Sequence, residues 1–258
     1  MNLELNQSTF LVTGSTSGLG RAVAGKLLEE GAQLIINARG EDRLLELSFQ
    51  YPGRVQILSG DITTDACISD LGRLLHGRKI HGMVINASGP PVKSFEETNM
   101  EDWDQAYEKI LRWKIKITKE FLGIFMAQKY GRLLFIESAS VKQPVENLIL
   151  SNAMRLAVVG FVKTLSQEIA HLGITANILA PGYHATPAME RLLAHKALLL
   201  GISPDEAKVY FEKEIKMGHL GNPDDFASLA AWLLSPHAGY ITGQTIAVDG
   251  GLIKGTMG

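Results

Sequence analysis

Three groups of residues have types and spacings that could do chemistry. The first is "TGSTSGLG" at 13–20, where Gly14, Gly18 and Gly20 are separated by Ser15, Thr16, Ser17 and Leu19. The spacing G-x3-G-x-G is a variant of the dinucleotide fingerprint. At a strand-to-helix turn, such glycines let the backbone approach a pyrophosphate while a helix N-terminus faces its charge. The second group is "IINARGEDR". A ribose-gripping acid is expected about 20 residues beyond the glycines, yet Ala38 stands there and Arg39 follows. A carboxylate would repel a 2′-phosphate, whereas a guanidinium holds one in a fork of hydrogen bonds. The pair therefore favours NADP(H) over NAD(H). The third group is "LILSNAMRLAVVGFVK" at 148–163. A helix is expected to open at Ser151 and Asn152, with Arg155 one turn further on. Ser is a good N-cap, so Ser151 reads either as a cap or as part of a site.

These residues need elements to position them. Short apolar runs at 9–14, 33–38, 55–60, 82–87, 132–138, 175–181 and 245–250 read as strands. Most lack in/out alternation, as suits a parallel sheet covered on both faces. Helical patterns lie between them near 18–30, 41–49, 64–76, 100–128, 152–171 and 223–235. Such repetition predicts an α/β fold, a Rossmann-type doubly wound sheet of seven parallel strands. Right-handed crossovers then gather the strands' carboxyl ends on one ligand edge. Asp61 and Ile62, and the turn Asn86, Ala87, Ser88 and Gly89, end the third and fourth strands there. They should flank the adenine and its ribose, although ordinary turn chemistry would use the same residues. One segment breaks the rhythm. Two helical patterns within about 184–217 are read as a lid over the ligand site. No linker is found, so residues 1–258 are read as a single dinucleotide-binding domain.

The chain's bulk properties narrow the function. Its 258 residues, 46% hydrophobic, can bury a large core. A formal net charge of −2, with no block of like charge, gives no nucleic-acid or membrane surface. No uninterrupted apolar run approaches the roughly 18 residues that span a bilayer. No signal peptide is read at the N-terminus. The single cysteine, Cys67, excludes an internal disulfide and points to a reducing, cytoplasmic setting. No metal site is expected.

Together these motifs resemble the short-chain dehydrogenase/reductase family. The likeness runs through "TGSTSGLG", "NASG", "GRLLFIESAS" and "LAPGYHAT". The final "GHLGNPDDFASLAAWLLSPHAGYITGQTIAVDGG" is similar to the end of bacterial 3-oxoacyl-(acyl carrier protein) reductases. The resemblance implies hydride transfer between a nicotinamide and a small-molecule carbonyl or alcohol, in a homotetramer or homodimer. It places Pro181, Gly182 and Thr186 under the nicotinamide. It also implies a catalytic Ser, a Tyr thirteen residues later, a Lys four after that, and an Asn on the helix after the fourth strand. Here the Ser falls on Ser138. The Tyr, Lys and Asn positions hold Ser151, Arg155 and Ile110.

Those replacements change the chemistry. A phenol has a pKa near 10, and an alkyl hydroxyl is a weaker acid on a shorter side chain. Arginine can hydrogen-bond a ribose but cannot share its proton. Three readings follow. His184, after the "PG" turn, could supply the proton. Alternatively, Ser138 and Arg155 could suffice for an activated carbonyl, with water as the proton source. Or the protein could bind NADP(H) without turnover, as a sensor or partner subunit. Glu137, next to Ser138 in a strand, is expected to face away from the substrate.

Overall fold

Residues 1–256 are described by the computed structural model. Every apolar run becomes a parallel strand: β1 Thr9–Thr13, β2 Gln33–Ala38, β3 Val55–Ser59, β4 Gly82–Ile85, β5 Gly131–Ile136, β6 Ile174–Pro181 and β7 Thr245–Val248. Their order is β3-β2-β1-β4-β5-β6-β7. The order reverses between β1 and β4, which opens the crevice where doubly wound sheets bind ligands. Register is continuous across it, with Phe10, Leu11 and Val12 opposite Gly82, Met83 and Val84.

The helices are α1 Gly18–Glu29, α2 Glu41–Gln50, α3 Asp65–Leu75, α4 Met100–Ala106, α5 Trp113–Gln128, α6 Ile149–Ile169, α7 Pro187–Leu200, α8 Pro204–Glu214 and α9 Pro223–Leu234. Strand alternation divides the core into two layers. Leu133 and Phe135 of β5 pack with α3, α5 and α6, whereas Leu134 and Ile136 pack with α1 and α9. Each such buried side chain contributes about 1.5–3 kcal/mol. By length and composition α6 could also cross a membrane. Here its buried residues Val158, Val162, Leu165 and Ile169 join the sheet core instead.

The structure departs from the expected boundaries in two places that matter. The helix expected over 100–128 contains a π-helical stretch, Tyr107–Arg112, between α4 and α5. Helix α6 starts at Ile149, before the expected Ser151, and Leu148 takes the N-cap place without a side-chain bond. Ser151 is therefore a first-turn residue and not a cap. The lid expected near 184–217 corresponds to α7 and α8. Its far end returns to the sheet edge, where the Met217 amide donates to the Gly250 carbonyl at 3.0 Å.

Candidate active site

The glycine loop fits a pyrophosphate. Gly14 and Gly18 have φ of 61° and 53°, and a Cβ at Gly20 would stand 2.2 Å from the Gly14 carbonyl oxygen. Only glycine permits that turn. Behind it, Ser17 sits at the N-cap of α1 without capping it, and the first turn of α1 carries no acid. The open N–H groups thus face the ligand edge with no competing carboxylate. Neighbouring polar groups brace the turn. The Asn86 amide donates to the Gly14 carbonyl at 3.4 Å, and the Ser15 hydroxyl donates to the Asn37 carbonyl at 3.1 Å. Thr16, Ile62, Ala87 and Ser88 lie on the same loops, at the ends of β1, β3 and β4.

Arg39 is exposed just past β2 and makes no ion pair among the described residues. It is available for a 2′-phosphate. Asp61 accepts from the Thr63 amide at 3.0 Å and its hydroxyl at 2.8 Å, an Asx turn. Thr186 caps α7 and accepts from the Met189 amide at 3.4 Å. A Cβ at Gly18 would lie 3.6 Å from Thr186, so this Thr stands over the phosphate loop. Pro181 ends β6, and Gly182 lets β6 approach Asp249, whose Cα would lie 2.8 Å from an added Cβ.

Arg155 joins Ser151 of its own helix to Glu137, just past the end of β5. Its Nε donates to Ser151 Oγ at 3.0 Å, and its Nη1 donates to Glu137 Oε2 at 2.9 Å. The other carboxylate oxygen, Glu137 Oε1, accepts from Lys114 Nζ. Lys114, Glu137 and Arg155 expose only 2%, 5% and 8% of their surface. The remaining guanidinium nitrogen, Nη2, lies at the NASG turn, 3.0 Å from where a Cβ at Gly89 would be. Burial and the nearby Arg155 charge, opposed by Glu137, push the Lys114 ammonium down to about 8.

Glu137, expected to face away from the substrate, turns its carboxylate toward Arg155 and Lys114. It continues the alternation of Leu133 and Phe135 and enters the α5–α6 layer that holds Ser151 and Arg155. The regular strand stops at Ile136, which frees Ser138 to begin a turn and accept from the Ser140 amide at 3.1 Å. The buried Ser140 hydroxyl has no partner among the described residues. Sequence reasoning missed Lys114. Its signal was a lone cation on the stripe Ile110, Ile117, Phe121 and Phe125, all buried.

His184 is not brought to this centre. Its ring packs edge-on against Phe226 of α9 at 5.6 Å and against Gly221, and its Nδ1 lies 3.2 Å from the Gly182 carbonyl. Phe226 belongs to the opposite core layer. Burial also holds the imidazole below its usual pKa. This placement gives His184 contacts to Gly182, Gly221 and Phe226, and none to Ser138, Ser151 or Arg155 is seen among the described residues. Neighbouring Tyr183 stacks edge-on with Phe211 of α8 at 4.9 Å, and burial with Glu214 pushes its phenol up to about 12.

Comparison with known proteins decides the family. A family model described as enoyl-(acyl carrier protein) reductase matches residues 14–253. A 3-oxoacyl-(acyl carrier protein) reductase, FabG of Haemophilus influenzae, is 32% identical over 246 residues, covering 94% of this chain and 96% of the relative. This chain belongs to the short-chain dehydrogenase/reductase family. The NADPH-dependent reductase BacG of Bacillus subtilis is 27% identical over 257 residues, covering 97% and 99% of the two chains. Among solved short-chain reductases, an actinorhodin polyketide ketoreductase variant with NADPH superposes with a TM-score of 0.89. It is 30% identical, with 95% of this chain and 97% of that one covered. YwfH, an NADPH-dependent reductase involved in bacilysin biosynthesis, superposes at 0.91, with 26% identity and 97% and 100% coverage. The seven-stranded parallel sheet and the resemblance to ketoacyl reductases are thus borne out. The preference for NADP(H) agrees with these short-chain reductase relatives.

Proposed function

We propose that this protein is an NADPH-dependent reductase of small carbonyl compounds, 3-oxoacyl-type compounds among them, that works without a catalytic tyrosine. The open α1 N-terminus behind the glycine loop is the observation that carries the cofactor reading. Unpaired Arg39 would hold the 2′-phosphate, and Asp61, Asn86 and the NASG turn would flank the adenosine and ribose. Thr186 would contact the pyrophosphate or carboxamide. Bound NADPH would supply the hydride, with both electrons, to the substrate carbon.

The remaining chemistry belongs to the chain. Ser138, at the ligand edge, would donate a hydrogen bond to the substrate oxygen. Arg155 would present its Nη2 edge beside Gly89 and stabilise negative charge without giving up its proton. The substrate oxygen would then take its proton from water. Positioned acid catalysis is typically worth about 10²–10⁴-fold, so a site without it favours carbonyls already activated by a neighbouring group. We also propose a cytoplasmic setting, on the single cysteine Cys67, and a homotetramer or homodimer, following the family resemblance.

A second reading, a nucleotide-binding subunit without turnover, is favoured by Tyr183 and His184 both being tied elsewhere. One experiment separates the two. NADPH fluorescence is titrated first, and NADPH oxidation is then followed with a panel of ketones, diketones and quinones. Binding with turnover on an activated carbonyl is expected. Binding without turnover on any compound selects the second reading, and no binding of either nicotinamide removes both.

A further inference from the structure

We propose that Lys114 and Glu137 are positioning residues that set the charge Arg155 presents to the substrate oxygen, Lys114 by occupying the Glu137 carboxylate from the side opposite Arg155. The inference rests on the reductase reading. It goes beyond that reading by assigning work to two residues that touch neither substrate nor cofactor.

The argument is one of charge. A single carboxylate lies between two cations, and all three side chains are almost wholly buried. One charge is therefore uncompensated in a region where charges are costly to bury. The geometry decides where it is felt. Lys114 is enclosed on every side, whereas Arg155 has one edge, Nη2, at the NASG turn. While Lys114 is an ammonium, it neutralises Glu137 and the Arg155 charge is free to act at that edge. When Lys114 is an amine, Glu137 neutralises Arg155 instead. The excess positive charge suits a ligand oxygen that becomes an anion as hydride arrives.

Among the described residues, no other charged group facing Lys114 intervenes. Glu137 approaches from β5 and Arg155 from α6, and the face of Trp113 lies 5.8 Å away. Asp65 of α3 is taken up by Arg112 and Lys116 on the outer side of the helix. Burial pushes the Lys114 ammonium down to about 8, so the charge at the ligand edge should fall as pH rises through that value.

The test uses the full chain with saturating NADPH and whichever carbonyl of the panel turns over. Lys114→Met should lower kcat by about tenfold or more, the scale of one lost electrostatic contact in a dry site. NADPH affinity should stay nearly unchanged. Lys114→Arg should restore kcat, and its kcat should no longer fall above about pH 8, because arginine stays charged. A Lys114→Met protein with wild-type kcat and the wild-type pH profile overturns the proposal. A readout independent of turnover is the ¹⁵N resonance of the Arg155 guanidinium in the NADP⁺-bound protein. It should titrate near pH 8 in the wild type and not in Lys114→Met. If no carbonyl turns over, the reductase reading fails while this signal still decides the charge coupling. A guanidinium signal that stays flat through pH 8 in the wild type overturns it.

Discussion

Glu137 meets Arg155 and Lys114 through its carboxylate, contacts that spacing alone does not show. Ser138, Ser151 and Arg155 were legible because they fall at fixed distances in a continuous motif. Glu137 was not, because both faces of a parallel strand are buried and alternation alone does not say which face meets the site. Two predictions belong at this scale. Arg39→Ala should weaken NADPH binding about tenfold or more while leaving NADH binding unchanged, since hydrogen bonds to a charged group are worth about 1.5–3 kcal/mol. Paired fluorescence titrations with the two nicotinamides measure this. The second concerns Lys114, whose pKa falls from 10.5 in the unfolded chain to about 8 in the fold. Between those values the unfolded state binds more protons, so stability rises with pH. Denaturant unfolding should therefore show wild type gaining on Lys114→Met, by on the order of 1–3 kcal/mol, from pH 8 to 10.5.

At the scale of elements, the strand and helix pattern was readable almost throughout because apolar runs and caps mark it. Thr64, Asn99, Thr186, Ser203 and Asn222 each cap the helix that follows. The π-helical stretch Tyr107–Arg112 left no such signal, since one widened turn does not disturb an apolar stripe already centred on Ile110. The two helices α7 and α8 were legible as a break in rhythm, but their anchorage was not. Tyr183 meets Phe211 of α8 across 4.9 Å, a tertiary contact that spacing does not show. An edge-to-face aromatic pair is worth about 0.5–1.5 kcal/mol. Phe211→Ala should therefore loosen α8 and raise KM for a carbonyl substrate several-fold, with NADPH affinity preserved. Steady-state kinetics beside the fluorescence titration separates the two effects.

For the whole molecule, fold and cofactor class followed from the first phosphate loop and the strand repetition. Substrate identity did not, because the segment expected to cover the ligand site carries no motif. Acid sensitivity is a property of the whole fold. His81 Nδ1 accepts the Thr9 amide at 2.9 Å beside the first strand, and burial lowers the pKa of both His81 and His184 from 6.5. Their contribution to stability is complete above pH 6.5 and is lost as pH falls from there toward their folded values. Unfolding midpoints measured from neutral pH downward should decline accordingly. His81→Asn, whose amide oxygen can accept the same bond without titrating, should flatten that decline.

The three-way contact of Lys114, Glu137 and Arg155 also bears on how such a centre can be reached by mutation. A buried charge is tolerated only beside an opposite one, and removing one member of a buried pair typically costs about 3–5 kcal/mol. Glu137 therefore needs a cation already in place at residue 155 or 114, and the second cation needs Glu137. The substitutions have a permitted order. Reversal runs through the same gate, because neutralising Glu137 while both cations remain leaves two like charges facing each other. Changing residue 155 to lysine alone would leave Glu137 and Lys114 in place, so the three positions constrain one another's replacement through charge.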